Sequence, residues 1–247
     1  CRIFTIKNFG IEGNGLLQSV VGLSNNYFTF IFITLTAYSF PKIASIKNND
    51  VLVNNEINQN LRFITFIMVP LIIMVFAFKE VLVIILYSKD FSVIVSYLKF
   101  QLIGDFFKAL GWVFGLWQIP KSRLKLWIGL ELLYNVNLIV IFYFLVNFVS
   151  SDLVDYSIAY MVAGIIHASL NFWFARKNLG YRISKANNNL LVYSLILLTG
   201  SFLYLVYLKN TSSVYLIFFC MIWALVSINK NEKSIILCNV QKFLRKR

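Results

Sequence analysis

The sequence predicts an all-α membrane protein, a polytopic bundle of about seven spanning helices. Two features of its composition predict this fold class: 59% of the 247 residues are hydrophobic and only 13% are charged, whereas soluble domains average about 45–50% and about 25%. The apolar residues also fall into runs of about 20, the length that crosses a bilayer as a helix. The same composition excludes an ordinary soluble domain and a disordered chain.

Seven stretches have the length and apolarity of a spanning helix. Pro41 and Pro120 follow the first and third stretches, where proline is expected to end a helix. Pro70 lies inside the second and is expected to kink it. Residues 79–90 hold an apolar run too short to cross, which we interpret as a short interfacial helix; the alternative is a tilted extension of the second span. The predicted spans are residues 16–40, 63–78, 98–118, 126–146, 154–173, 190–208 and 214–228.

The basic residues are divided unequally between the two sides that seven alternating spans define. Sixteen of the 23 Lys and Arg residues fall on one side, five on the other, and Lys99 and Lys108 lie within the third span. Because cytoplasmic loops carry the excess of Lys and Arg, we predict that loops 119–125 and 176–187 and the C-terminus are cytoplasmic. This topology and contact with anionic membrane lipid account for the net charge of +13, so no nucleic-acid partner is predicted.

Polar residues inside the predicted spans indicate a structural or functional role, since inserting a charged side chain near the bilayer centre costs about 2.5–3.5 kcal/mol of free energy. In the third span, the polar and aromatic residues are spaced by 4, 3 and 4 positions and therefore share a helix face. They are Gln101, Asp105, Lys108 and Trp112. The first, fourth and fifth spans carry similar stripes, whereas the sixth and seventh carry almost none and are interpreted as peripheral. Four stripes together indicate the lining of a translocation path. The candidate cavity residues are Asn25, Asn26, Gln101, Asp105, Lys108, Trp112, Glu131, Asn135, Tyr160 and His167.

Structural alternatives stay open for these residues. Asp105 and Lys108 can form an ion pair that holds helices together, and Glu131 can pair with Arg123 or Lys125. His167 and the amides can be contacts within the bundle. The third span also has glycines that allow close helix packing: Gly104, Gly111 and Gly115.

Few other residues indicate chemistry. Three cysteines in a chain of this length form neither a disulfide framework nor a zinc-binding pattern, and we predict no catalytic residue, no metal site and no cofactor. The chain begins at Cys1 rather than Met, so we interpret it as a fragment that begins within a longer protein.

Several motifs resemble one transporter family. They are FQLIGDFFK at residues 100–108, VFG at 113–115, GLLQ at 15–18, SNNY at 24–27 and YSFP at 38–41, with Ile119, Lys121, Leu124 and Glu131. Over residues 1–177 the chain resembles the Wzx-type flippases of the multidrug/oligosaccharidyl-lipid/polysaccharide exporter superfamily.

The resemblance implies a two-lobe exporter and a function for it. Residues 1–177 would form five spans of the second lobe, and residues 178–247 two additional transmembrane helices and a basic tail. The whole protein would flip undecaprenyl-pyrophosphate-linked oligosaccharide across the bacterial inner membrane for O-antigen, lipopolysaccharide or other surface polysaccharide assembly, by alternating access. Lys108 would contact the anionic pyrophosphate, Trp112 and Tyr160 the sugars, and Asp105 or Glu131 a coupling proton or cation. The implied partners are a polysaccharide polymerase and chain-length proteins.

Other classes of protein remain as alternatives. A multidrug or other lipid-intermediate exporter of the same superfamily would share these features. A membrane enzyme of polysaccharide synthesis usually needs a large outer loop or a His/Asp motif, whereas here the loop at 150–152 is short and His167 is the single histidine. A seven-helix photoreceptor would need a lysine in the seventh span, and residues 214–228 contain none.

The topology can be tested by cysteine labelling. In a Cys-free background, a membrane-impermeant maleimide applied to intact spheroplasts should label Ser151→Cys and spare Ser122→Cys and Arg182→Cys. The physical reason is that reversing the topology would move many basic residues across an energised membrane, each opposed by about 2.3 kcal/mol per 100 mV. Labelling at position 182 without permeabilisation would mean that a span is miscounted.

Overall fold

The computed structural model describes residues 2–150, 152–207 and 215–228. Within these ranges the chain forms seven α-helices and one short 3₁₀ helix, and it contains no β-strand. The helices are α1 (Arg2–Ser45), α2 (Asp50–Leu86), α3 (Val95–Gly115), α4 (Leu124–Phe148), α5 (Val154–Leu179), α6 (Lys185–Tyr207) and α7 (Tyr215–Ser227), and the 3₁₀ helix is Lys89–Ile94.

The protein is an all-α, multi-pass membrane helix bundle, as predicted. In the described part of the chain, α1, α2, α4, α5 and α6 are long and apolar enough to cross a bilayer. Helix α3 has 21 residues but is less apolar, because it carries Lys99, Asp105 and Lys108. More than half of its residues are buried against other helices. Some predicted features lie outside the described residues: Cys1, Ser151, the loop at 209–213 with the adjoining ends of the last two spans, and the tail from Lys230 to the C-terminus.

The helix end predicted at Pro41 is wrong. Helix α1 does not end at Pro41 but continues to Ser45, because side chains on both sides of the proline hold it against α2. Ser39 Oγ donates to Asn60 Oδ1 at 2.7 Å, and Lys42 Nζ lies 2.6 Å from Glu56 Oε2. These contacts offset the hydrogen bond that proline removes.

Helix α2 continues through Pro70, and the kink expected there stays a prediction. Its non-helical residue is Phe78 (φ −111°, ψ 16°), where two helical segments meet across a kink. A second helical segment runs from Phe78 to Leu86, and the 3₁₀ helix follows from Lys89. Residues 79–86 are therefore helical, as both alternatives predicted, and their position relative to the membrane interface stays a prediction. Pro120 does lie past the end of its helix, in the turn between α3 and α4.

Helices α3 and α5 form the most extensive helix–helix contact among the described residues, and glycines lie within it. A Cβ atom at Gly104 would lie 2.5 Å from Tyr160 Cδ1 and 3.0 Å from the Met161 Cα. One at Gly164 would lie 3.0 Å from the carbonyl oxygen of Gly104. The glycine-lined packing face predicted for the third span is therefore confirmed.

Helices α6 and α7 pack mainly on α2. The Asn58 side chain donates to the carbonyl of Arg182 at 3.0 Å and accepts from the backbone N–H of Ser184 at 2.9 Å, which holds the α5–α6 connection. Tyr181, in that connection, is fully buried, and burial raises its pKa. The division of the chain at residues 177 and 178 stays a prediction.

Side chains of α2 also hold α7. Arg62 donates to the carbonyl of Ser227 at 2.9 Å, and the Phe66 and Trp223 rings lie 5.4 Å apart. Trp223 Nε1 in turn donates to Ser194 Oγ of α6 at 3.2 Å. The two last helices thus share one hydrophobic core with α1, α2 and α3.

Substituting Gly104 tests the α3–α5 contact. Gly104→Ala should lower the free energy of unfolding by about 1–3 kcal/mol, the usual effect of overpacking, because a backbone atom of α5 blocks the new methyl group. Thermal unfolding in detergent measures it. Gly129→Ala is the matched control, since nothing lies within 4 Å of a Cβ atom there. Equal unfolding temperatures for the two variants would contradict the packing.

Candidate functional site

The carboxylate of Asp105 is the centre of a buried polar cluster. Asp105 is fully buried, and Ser24 Oγ of α1 lies 2.6 Å from each of its two oxygens. The hydroxyl of Tyr160 on α5 donates to Asp105 Oδ1 at 2.8 Å. Gln101, one turn earlier on α3, donates to Ser24 Oγ at 3.3 Å. One carboxylate therefore joins three helices, as the cost of burying a charge requires.

Lys108 lies one turn further along α3 and is surrounded by aromatic rings. Its Nζ atom is 5.5 Å from the ring centroids of Tyr134 and Tyr160 and 5.9 Å from that of Phe28. The spacing of Asp105 and Lys108 allows an ion pair. Among the ion pairs of the described residues, however, none joins these two side chains. The half-buried ammonium group is held by ring faces of α1, α4 and α5 instead.

His167 and Glu131 form the far side of the cluster. His167 Nε2 lies 3.6 Å from Glu131 Oε1, and the side chains are 6% and 41% exposed, respectively. The imidazole also packs against the ring of Tyr134, with centroids 5.2 Å apart. Among the described residues its Nδ1 atom has no hydrogen-bond partner, because it faces the backbone at Gly111. Glu131 is thus the exposed carboxylate of the cluster, and Asp105 the enclosed one.

The structure brings together six of the ten predicted cavity residues. These are Gln101, Asp105, Lys108, Glu131, Tyr160 and His167. We refer to them, with Ser24, Phe28 and Tyr134, as the polar cluster.

The other four predicted residues lie elsewhere. Asn25 and Asn26 are exposed on α1. Asn135 is exposed and donates to the carbonyl of Glu131 in its own helix at 2.7 Å. Trp112 packs on Phe32 of α1, with ring centroids 4.7 Å apart. Sequence reasoning also missed Ser24, Phe28 and Tyr134, because a serine or an aromatic residue is unremarkable in a membrane helix.

The polar cluster brings together one ammonium group, two carboxyl groups and one imidazole. A cation–π contact attracts the ammonium group to the ring face without using its N–H groups as hydrogen-bond donors, so Lys108 retains donors for a phosphate oxygen. Glu131 is the partly exposed member of its pair with His167. No group of three His, Cys, Asp or Glu side chains suited to a metal ion occurs among the described residues.

Comparison with known proteins finds one matching family model and two similar proteins. A family model described as polysaccharide biosynthesis protein matches residues 7–96. The chain is also 25% identical over 157 residues to the lipid III flippase of Escherichia coli (strain K12) and to that of Shigella flexneri. The aligned part is 63% of this chain and 37% of each relative, so the chain spans little more than a third of the relatives' length. No solved structure is significantly similar.

At this level the resemblance inferred from the motifs is confirmed: the chain is similar to a polysaccharide biosynthesis family and to flippases. The matched segment of the family model covers α1, α2 and the start of α3, and therefore includes Ser24 but not Asp105.

Removing the hydroxyl of Ser24 should destabilise the bundle. Ser24→Ala leaves the buried Asp105 oxygens with fewer donors, which should lower the unfolding free energy by about 1–3 kcal/mol. Ser19→Ala is the matched control on the same helix, because the Ser19 hydroxyl donates only to the carbonyl of Gly15. Thermal unfolding in detergent should separate the two variants; no difference would show that the Ser24 contact does not hold the carboxylate.

Proposed function

We propose that the chain is part of a flippase that moves undecaprenyl-pyrophosphate-linked oligosaccharide across the bacterial inner membrane for O-antigen or other surface polysaccharide assembly. The observation that carries the proposal is the half-buried ammonium group of Lys108, held among aromatic rings at the centre of a membrane bundle. The similarity to lipid III flippases supports a transporter rather than an enzyme.

The first step of the argument concerns charge. A lysine placed inside a membrane protein normally marks a substrate or ion pathway. Lys108 has an anionic neighbour on each side, Asp105 and Glu131, yet its ammonium group contacts rings. This arrangement keeps a positive charge available to a pyrophosphate and is preorganised before the substrate arrives.

The second step concerns the exposed side of α1. Gln18, Asn25, Asn26 and Thr29 lie on one stripe of this helix and are all exposed. A polar stripe facing lipid would leave amides without partners in hydrocarbon. We therefore assign this stripe to the wall of a cavity shared with the other lobe, where amide groups bind sugar hydroxyls. The two predicted asparagines thus keep a role in the proposal, although they lie outside the polar cluster.

The third step concerns coupling. Asp105 is enclosed by Ser24 and Tyr160, whereas the Glu131 side chain is 41% exposed and lies beside His167. The accessible carboxylate suits the coupling proton or cation better, so we assign that role to Glu131 and a structural role to Asp105. Alternating access would then change the exposure of the Glu131–His167 pair.

Substitutions that remove or keep the positive charge of Lys108 test the proposed function. In the whole protein, Lys108→Ala should lower glycan export at least about tenfold, the effect of losing one charged contact, while Lys108→Arg should retain part of it. Export is measured as surface polysaccharide in a flippase-deficient strain, with membrane expression determined in parallel. Lys125→Ala removes the same charge from an exposed position and should leave export unchanged. Normal export by a well-expressed Lys108→Ala variant would refute the proposal.

A further inference from the structure

The Glu131–His167 pair is connected to Lys108 through one aromatic ring. The ring of Tyr134 lies 5.5 Å from the Nζ atom of Lys108, and its centroid is 5.2 Å from that of the His167 imidazole. His167 Nε2 in turn lies 3.6 Å from Glu131 Oε1. The charges of Lys108 and Glu131 are therefore near enough to interact. A change of charge on Glu131 must alter how strongly Lys108 attracts an anion.

The surroundings of the pair determine which member gains a proton. The Nδ1 atom of His167 lies against the backbone of Gly111, where a Cβ atom would be 2.5 Å from it. It has no acceptor among the described residues, so a proton there would bury an N–H group without a partner. The imidazole therefore stays neutral and directs its Nε2–H group towards Glu131. The proton goes to Glu131, whose side chain is 41% exposed.

The groups that face Glu131 suit a proton better than a metal cation. They are the ammonium group of Lys108 on α3, the imidazole of His167 on α5 and the ring of Tyr134 on its own helix. A hard cation requires several oxygen ligands, whereas two of these groups are nitrogen donors and one of them is positively charged. A proton needs no further ligand, because it removes the charge of the carboxylate by itself.

We propose that a proton on Glu131 and an oxyanion on Lys108 bind cooperatively, each raising the affinity for the other. The inference rests on the proposed function, since it requires that Lys108 contacts the pyrophosphate. An ionised Glu131 repels a phosphate group held by Lys108, and protonation removes this repulsion. Because binding linkage is reciprocal, the bound anion also favours protonation of Glu131. The proton and the pyrophosphate therefore occupy the same state of the transporter.

The experiment is isothermal titration calorimetry of the whole protein in neutral detergent with methanedisulfonate as the probe. Its two sulfonate groups mimic a pyrophosphate but stay ionised throughout, so a change of pH acts on the protein alone. Lowering the pH from about 8 to about 5, towards the range in which carboxyl groups titrate, should strengthen binding by about fivefold or more. Titrations in buffers of different ionisation enthalpy should show proton uptake with the bound anion.

Three variants assign the proton. Glu131→Gln removes the opposing charge, so it should bind the probe tightly at both pH values and without proton uptake. Glu12→Gln removes an exposed carboxylate of α1 and should keep the pH dependence of the unmodified protein. His167→Gln cannot titrate but keeps an N–H donor, and it should also keep the pH dependence. Loss of the pH dependence in His167→Gln, with its persistence in Glu131→Gln, would overturn the proposal.

Lys108→Ala distinguishes the failure of this inference from the failure of the proposed function. Weaker binding by Lys108→Ala supports the anion contact, and binding to that site without pH dependence or proton uptake then overturns the cooperativity alone. Equal binding by Lys108→Ala and the unmodified protein, or no binding at either pH, refutes the anion contact and the cooperativity together. Proton uptake is measured on the unmodified protein, so it decides the question even if a variant folds poorly.

Discussion

The requirement to satisfy the buried carboxylate of Asp105 determines how the centre of the bundle is arranged. An ionised group without partners in an apolar interior is prohibitively costly, so hydroxyls from two other helices must reach it. Ser24 fixes the rotation of α1, and Tyr160 fixes that of α5. The position of Lys108 follows from the same geometry, because a residue one turn from Asp105 meets the ring of the tyrosine that binds Asp105.

The glycine contact and the hydrogen-bond network depend on each other. Tyr160 packs directly over Gly104, where any Cβ atom would collide with its ring. The absence of that side chain lets α5 approach α3 closely enough for the Tyr160 hydroxyl to reach Asp105, the next residue. A substitution at Gly104 therefore displaces a ligand of the carboxylate as well as separating two helices, and its cost includes both effects.

The sequence predicts the helices well and the partners of its polar residues poorly. Length and apolarity identify the helices because a bilayer imposes them, and the spacing of Gln101, Asp105 and Lys108 identifies one face because a helix has 3.6 residues per turn. The same rotation explains which residue of α1 contacts Asp105. Ser24 and Asn25 are adjacent, so their side chains differ by about 100° in direction; the serine points inward, and the asparagine, which is the more noticeable residue, points outward. The helix end predicted at Pro41 failed for another reason. The contacts of Ser39 and Lys42 with α2 are tertiary, so no local sequence pattern predicts them.

The placement of α6 and α7 is compatible with a central cavity. In the proposed flippase, a helix added to the lobe must bury apolar area without covering the surface assigned to the substrate. Helices α6 and α7 meet this condition by packing mainly on α2, while the stripe of Gln18, Asn25 and Thr29 on α1 stays exposed. They therefore enlarge the bundle on the side of α2 and leave the polar stripe of α1 uncovered.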